Sequence, residues 1–461
     1  MRTRWRPRIT WALFAACAAA GCGGGGGGTT SSNSAVSCLV DFQRQRQEIR
    51  DIMLEWYFFN DEIEQQQKYS GLDLNAFPTP EDLLAFLRYR PDQFDRGFSF
   101  ITTPAADAQF FGEGQFVGFG FGSKFVDSPV NSDLRLTQVF PGSPAAAAGF
   151  QRGQRIVTID GRTIAEIGQA EGLGAALGTA DVGVTRTFLI RDPDPGVADL
   201  EVAVAKALVT IDPVPSTTIF DVGGAKVGYV DFRTFISTAD AELDQAFAEF
   251  ESQNVTALVV DLRYNGGGLV STAERLADLI GGIIAFDQVL SETLFNSSKS
   301  TFDSIVRFQD LSGSLSLLQQ VVFITTGSSA SASELVINAL SPHTVVTLVG
   351  SVTFGKPVGQ SGFPFCDDEL LLRPVTFETV NSLNEGQYFD GLGVTCGATD
   401  GLQFALGDPA EPSLATALEF IETGSCGPVV FRSTLSAPAA QHQDIPLGPE
   451  AGAAQRLLGA Y

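Results

Sequence analysis

Two near-continuous apolar runs, Val255 to Leu262 and Val321 to Thr325, are each followed by a stretch with helical apolar spacing, Leu269 to Ile280 and Ala332 to Leu340. Strands that are apolar on both faces must be covered on both faces, and strands joined through helices run parallel. Lys226 to Phe232 upstream and Val345 to Val349 downstream read as further strands. Leu243, Phe247 and Phe250 mark the buried face of another helix. Glu411 and Pro412, before Leu414, Leu418 and Ile421, open a closing helix. The expectation for residues 213–426, after the linker Pro213-Val-Pro215, is therefore an α/β core with a largely parallel sheet.

A chain of 461 residues with 44% hydrophobic content has room for two or three domains. Over residues 37–104 the apolar positions Leu39, Phe42, Ile49, Ile52, Met53, Trp56 and Phe59 recur at mostly helical spacing. A second helix starts where Thr79 caps, Pro80 fills the first turn and Asp82 follows, with Leu83, Leu84, Phe86 and Leu87 on its apolar side. This is a helical N-terminal domain. Residues 105–212 are short apolar runs punctuated by glycine: Val117-Gly-Phe-Gly-Phe-Gly122, Leu134 to Phe140, Arg155 to Ile159 before Asp160-Gly161, Thr185 to Arg191 and Leu200 to Lys206. That punctuation predicts strands with short helices. The tail, residues 427–461, is rich in Ala, Pro and Gln and reads as loosely ordered.

The first 22 residues carry Arg2, Arg4, Arg6 and Arg8, an apolar stretch from Ile9 to Ala20, then Gly21-Cys22. This is the order of an export signal, and the apolar stretch is too short to span a bilayer. Ala19-Ala20-Gly21-Cys22 resembles a bacterial lipobox with alanine in place of the usual leucine. Lipidation at Cys22 is expected, with Cys17 the weaker alternative. Residues 23–36, glycine then threonine and serine, would tether the folded part to the periplasmic face of the envelope, at the outer membrane. The net charge of −24 grows more negative once the arginine-rich leader is gone. Such a surface repels phosphate backbones, so no nucleic-acid partner is expected.

Beyond the leader stand Cys38, Cys366, Cys396 and Cys426, an even set in a compartment that permits disulfides. Of the three pairings, Cys366 with Cys396 is preferred, because the segment between them reads as two strands and a turn. Cys38 is then left to Cys426. No Cys-x-x-Cys spacing occurs and neither histidine lies near these cysteines, so no metal is expected.

The chemistry-bearing residues fall at strand-to-helix corners. Ser331 in Gly327-Ser-Ser-Ala-Ser-Ala-Ser-Glu334 follows a buried strand and opens a helix, beside unpaired helix N–H groups that favour a developing oxyanion. Asp261-Leu-Arg-Tyr-Asn-Gly-Gly-Gly-Leu269 ends another strand, and Gly266 and Gly267 leave room for main-chain amides to reach a substrate carbonyl. With only two histidines in the chain, a lysine is the candidate base. Lys356 in Phe354-Gly-Lys-Pro-Val-Gly-Gln360 comes one helix and one strand after Ser331. To act, its pKa must fall from about 10.4 to roughly 7–8, a cost of ~4 kcal/mol that burial can supply. Gln360 would orient it without adding negative charge.

Two resemblances sharpen this reading. Val117-Gly-Phe-Gly-Phe, with Val139-Phe-Pro-Gly-Ser-Pro-Ala-Ala-Ala-Ala-Gly149 and Gly153-Gln-Arg-Ile-Val-Thr-Ile-Asp-Gly161, resembles a PDZ domain. Gly118, Phe119, Gly120 and Phe121 then correspond to the loop that binds a peptide carboxylate while the peptide adds as a strand. The Ser-Ala-Ser-Ala-Ser-Glu and Phe-Gly-Lys-x-x-x-x-Gln elements, at their separation, resemble the carboxyl-terminal processing peptidases over roughly residues 37–426. That resemblance implies a crotonase/ClpP-like α/β core with an inserted PDZ domain and an N-terminal helical domain. It implies Ser331 as nucleophile, Lys356 as general base, Gln360 as its partner, and an oxyanion hole from Ala332 with Gly266 or Gly267. It selects Ser331 over Ser328, Ser329 and Ser333. No cofactor is required, and the implied partners are proteins or peptides with accessible C-termini. An acidic residue that relatives often carry after the serine helix is replaced here by Ser341-Pro-His343.

Two rivals stand beside it. A Ser-His-Asp peptidase would need His343, in a loop after a helix, or His442, in the tail. A non-catalytic PDZ-containing scaffold of the cell envelope would bind peptide tails without cleaving them.

Overall fold

In the computed structural model the two apolar runs form the centre of a six-stranded sheet. Its order is Ser216–Val222, Ala225–Asp231, Ala257–Asp261, Gln320–Thr325, Val345–Gly350 and Cys396–Gly397. The first two strands make an antiparallel hairpin and every later neighbour is parallel. Alternate residues of the central strands face opposite layers. Leu258, Val260, Val321 and Phe323 pack with helices Ala239–Ser252, Val270–Gly281 and Ala332–Leu340. Ala257, Val259, Val322 and Ile324 pack with Leu414 and Ala417 of the closing helix Pro412–Thr423. Each buried Val, Leu, Ile or Phe among them stabilises by roughly 1.5–3 kcal/mol. The hairpin's outer strand, Ser216–Val222, has no fully buried residue, and that weak pattern hid it from the sequence reading.

The described residues are 37–427 apart from Pro129, together with Ala454, Arg456 and Tyr461. All but Ser37 fall in one compact unit. The leader, Cys17, Cys22, the glycine-rich tether and His442 lie outside the described residues. Among the described residues no helix is long and apolar enough to cross a membrane.

Helix Phe42–Trp56 and helix Pro80–Leu87 form as expected, the second with Thr79 and Asp82 closing a reciprocal capping box. A further helix, Ile63–Tyr69, lies between them. They do not make a separate core. Ile49, Met53, Leu83 and Leu87 pack with Val358, Phe365, Leu372 and Val375 from the far end of the chain. Strand Phe100–Thr102 pairs antiparallel with Leu370–Arg373, placing Phe100 opposite Arg373.

This interlocking corrects the cysteine pairing: the bridges are Cys38–Cys366 and Cys396–Cys426. Two strands do follow Cys366, but they do not pair with each other. Leu370–Arg373 joins Phe100–Thr102 and Phe363–Phe365, whereas Val375–Val380 joins Val289–Phe295 and Val358–Gln360. The chain is thereby carried from the N-terminal cluster, where Cys366 meets Cys38, to the edge of the parallel sheet. There Cys396, paired with Val349, lies beside the end of the closing helix and Cys426.

Between these parts, Phe121–Phe125, Leu134–Val139, Arg155–Ile159, Thr185–Arg191 and Leu200–Ala205 form a twisted antiparallel sheet around Phe119, Phe121, Ile156 and Phe188. Strands Gln115–Gly118 and Ala207–Thr210 pair with each other where the chain enters and leaves it. Of the tail, Ala454 and Tyr461 are buried and Arg456 is half-buried.

Candidate active site

Ser331 sits between strand Gln320–Thr325 and helix Ala332–Leu340 with φ 55° and ψ −113°. A non-glycine residue held there costs of order 1–3 kcal/mol and persists only where its surroundings fix it. Those surroundings are explicit. Ala330 N–H donates to Asn265 O at 3.1 Å, and Ser331 N–H to Glu334 Oε2 at 2.9 Å. The neighbouring serines have structural work: the Ser329 hydroxyl donates to Leu262 O at 2.7 Å and the Ser333 hydroxyl to Asn265 O at 2.8 Å. Both are fully buried, whereas Ser331 is half-buried at the mouth of the corner.

The glycine run after strand Ala257–Asp261 lies directly against this corner. Gly267 has φ +104°, and a Cβ on it would lie 2.8 Å from Ser331 Cβ and 2.9 Å from Ala332 N, so only glycine fits. Its N–H donates to Asn265 Oδ1 at 3.0 Å, while Asn265 Nδ2 holds Phe232 O at 2.9 Å. Among the described residues, no hydrogen bond is made by the N–H of Ala332 or of Gly266. Of the two glycines expected to supply an oxyanion donor, the geometry thus leaves Gly266 free and engages Gly267.

Lys356 is 8% exposed. Its Nζ lies 3.3 Å from Gln360 Oε1 and 5.1 Å from the centroid of the Phe98 ring, and Gln360 Nε2 donates to Phe98 O at 2.9 Å. Burial pushes its pKa down to about 8, the nearby Asp95 carboxylate opposing and the Arg456 guanidinium assisting. Ser331 Oγ and Lys356 Nζ make no hydrogen bond to each other. What unites the two segments is one carboxylate.

That carboxylate belongs to Glu334, which is fully buried. Oε2 accepts from Ser331 N–H and, at 2.8 Å, from Lys356 N–H. Oε1 accepts from Thr353 Oγ1 at 2.5 Å and Gly355 N–H at 2.6 Å. Desolvation raises the Glu334 pKa, and these four donors pull the other way. Glu334 has no role among the sequence expectations. Its signal was present, since Ser331-Ala-Ser-Glu334 has the spacing of a capping box.

Sequence reading also missed the roof. Arg96 lies over Phe354 and Phe98, 4.5 and 5.5 Å from their centroids, and donates to Phe354 O at 3.0 Å. The lysine is therefore enclosed from the N-terminal side of the chain, far away in sequence. His343 is engaged elsewhere, 3.1 Å from both Val289 O and Ser382 Oγ.

Arg152, from the glycine-punctuated region, donates to Tyr264 Oη at 2.7 Å and to Asp400 Oδ1 at 2.7 Å. Tyr264 immediately precedes Asn265 and Gly266, so this contact reaches the glycine loop that lies against Ser331. Lys124, from the same region, pairs with Asp400 at 2.5 Å.

Comparison with known proteins gives three domain matches: peptidase family S41 over residues 226–396, the peptidase S41 N-terminal domain over 44–100, and a PDZ domain over 135–182. The chain is 29% identical over 248 residues to the chloroplastic C-terminal processing peptidase of Tetradesmus obliquus, covering 51% of this chain and 50% of that one. It is 30% identical over 254 residues to the carboxyl-terminal-processing protease of a Picosynechococcus strain, covering 54% and 56% respectively. It therefore spans about half the length of these relatives. A solved chain from Bacteroides fragilis, named for the S41 proteases, superposes with a TM-score of 0.63 at 25% identity, over 82% of this chain and 97% of that one.

Proposed function

We propose, from a chain that carries a peptidase family S41 domain, that family's N-terminal domain and a PDZ domain, that this protein is a serine endopeptidase acting through Ser331 and Lys356. The observation that carries the reading is the Glu334 carboxylate, whose Oε2 binds the amides of both residues while burial brings the Lys356 pKa down to about 8.

In the proposed reaction neutral Lys356 Nζ takes the proton from Ser331 Oγ, and the oxygen attacks a peptide carbonyl carbon. The developing oxyanion accepts hydrogen bonds from Ala332 N–H and Gly266 N–H. Lys356 returns its proton to the departing amine as the C–N bond breaks, leaving an ester on Ser331. Water, deprotonated by the same lysine, then attacks the ester carbon, and the lysine returns that proton to Ser331 Oγ as the ester C–O bond breaks and the acid leaves. Gln360 holds the amine in place. Substrates are exported proteins, engaged by their C-terminal tails in the PDZ groove.

Digestion of an unfolded, tail-bearing protein tests this. Wild type should cleave it, and Ser331→Ala and Lys356→Ala should each lose activity by at least a thousandfold, with the double variant no worse than either single one. Persistent cleavage by Ser331→Ala would remove the reading. Tail binding without any cleavage by wild type would favour the scaffold reading instead.

The leader supports a lipoprotein at the envelope, anchored through Cys22. Cys22→Ser should move the protein from the membrane fraction to the soluble periplasmic fraction and abolish fatty-acid labelling. An unchanged distribution would refute the anchor.

A further inference from the structure

The groove that the PDZ region offers to a peptide end already holds a residue of the same chain. Tyr461 O accepts from Gly120 N–H at 2.8 Å and from Phe121 N–H at 3.3 Å, and Tyr461 N–H donates to Phe121 O at 2.9 Å. This is the pairing of an added strand combined with capture of a main-chain oxygen by converging amides. The approach is close: a Cβ on Gly118 would lie 2.9 Å from the Tyr461 carbonyl carbon. The tyrosine is 4% exposed and packs in the same cluster as Phe119, Phe121, Phe150 and Phe188, its ring 6.5 Å from that of Phe121.

Two more residues of the tail are anchored independently. Ala454 is 4% exposed within the main core cluster of the peptidase. Arg456 lies over the Phe100 ring at 4.6 Å and donates to Gly97 O at 3.0 Å. Gly97 and Phe100 flank Phe98, the ring that covers Lys356. The tail therefore touches the peptide groove, the core and the segment that roofs the base.

We propose that Tyr461 is the resident cis ligand of the PDZ groove, so that the groove selects protein tails ending in an aromatic residue and such a tail engages by displacing Tyr461. The competition is intramolecular. A segment already anchored at Ala454 and Arg456 presents Tyr461 at a high effective concentration, and a free peptide binds more weakly by the fraction of grooves so filled. The inference names the tail chemistry for the proposed peptidase but does not depend on its cleavage chemistry, because groove occupancy is read by binding.

The test measures binding of a labelled Leu-Leu-Gly-Ala-Tyr peptide with a free carboxylate, by fluorescence anisotropy, to the Ser331→Ala chain. Removal of residues 454–461 should tighten binding at least tenfold. Tyr461→Asp in the full-length chain should give most of the same gain, which guards against a folding defect of the shortened chain. Equal affinity of all three chains would overturn the proposal, as would absence of binding to the shortened one. A block in the full-length chain that grows with protein concentration would place the tail of a second copy in the groove, and overturn occupancy in cis. A Leu-Leu-Gly-Ala-Asp peptide binding as tightly as the tyrosine peptide would overturn the aromatic preference.

Discussion

A lysine can serve as a base only while it is uncharged, and for the proposed base Lys356 a pKa of about 8 sets where that happens. Below that pH the amine holds its proton and turnover should fall about tenfold per pH unit; above it the rate should level off. Asp95 is fully buried and is held by Tyr57 Oη at 2.8 Å and by Ser99 Oγ at 2.6 Å. Its charge favours the ammonium form, so Asp95→Asn should move the inflection of kcat/KM to lower pH and destabilise the N-terminal region. A profile that does not shift would mean the carboxylate is not felt at Lys356. The same depression has a stability consequence of defined sign. Between about 8 and the ordinary 10.5 the unfolded chain binds a proton that the folded chain does not, so this residue's contribution to stability rises with pH through that window.

At the scale of elements, the first turn of helix Ala332–Leu340 does two things at once. Glu334 ties the backbone of its own N-terminus to the loop carrying Thr353, Gly355 and Lys356. Glu334→Gln would put an amide NH₂ where a carboxylate oxygen now accepts from N–H groups, so donors would face donors. A shift of about 1 Å between nucleophile and base is enough to cost about a hundredfold, so kcat should drop on that order with KM held within a few-fold. A purely structural role would instead lower the melting temperature and leave kcat of the folded fraction intact. How far this was readable depended on the range of the interaction. Strands such as Val321 to Thr325 and the serine corner are written in local pattern, and so is the Ser331 to Glu334 spacing once its meaning is seen. The Phe98 roof and the bridge from Cys38 to Cys366 are not. They follow from which sheet accepts Leu370–Arg373, a tertiary choice that no local window of the chain records.

For the whole molecule the question is how a groove built from residues near 120 communicates with a corner near 331. Arg152 spans them, bonded on the core side to Tyr264 Oη and Asp400 Oδ1 and on its own side to Thr137 O at 2.6 Å. Because Tyr264 leads into the Asn265–Gly267 loop, the pose of the PDZ region and the pose of the loop beside Ser331 share one guanidinium. Arg152→Ala should leave affinity for a tail peptide within about twofold while lowering kcat/KM on a tail-bearing protein about tenfold, the size of an ordinary coupling between sites. Equal losses in binding and turnover would point to simple damage of the PDZ region.

The pairing of Phe100 with Arg373 and the bridge from Cys38 to Cys366 also bear on how the protein comes into being. A ribosome delivers the front of the chain long before its partners, so the apolar sides of helices Phe42–Trp56 and Pro80–Leu87 emerge without the strands that will cover them. Folding cannot then proceed front to back. The leading segment must be kept from sticking until its distant complement arrives, and an isolated 37–104 fragment would lack Val358, Phe365, Cys366, Leu372 and Val375 from its own interior.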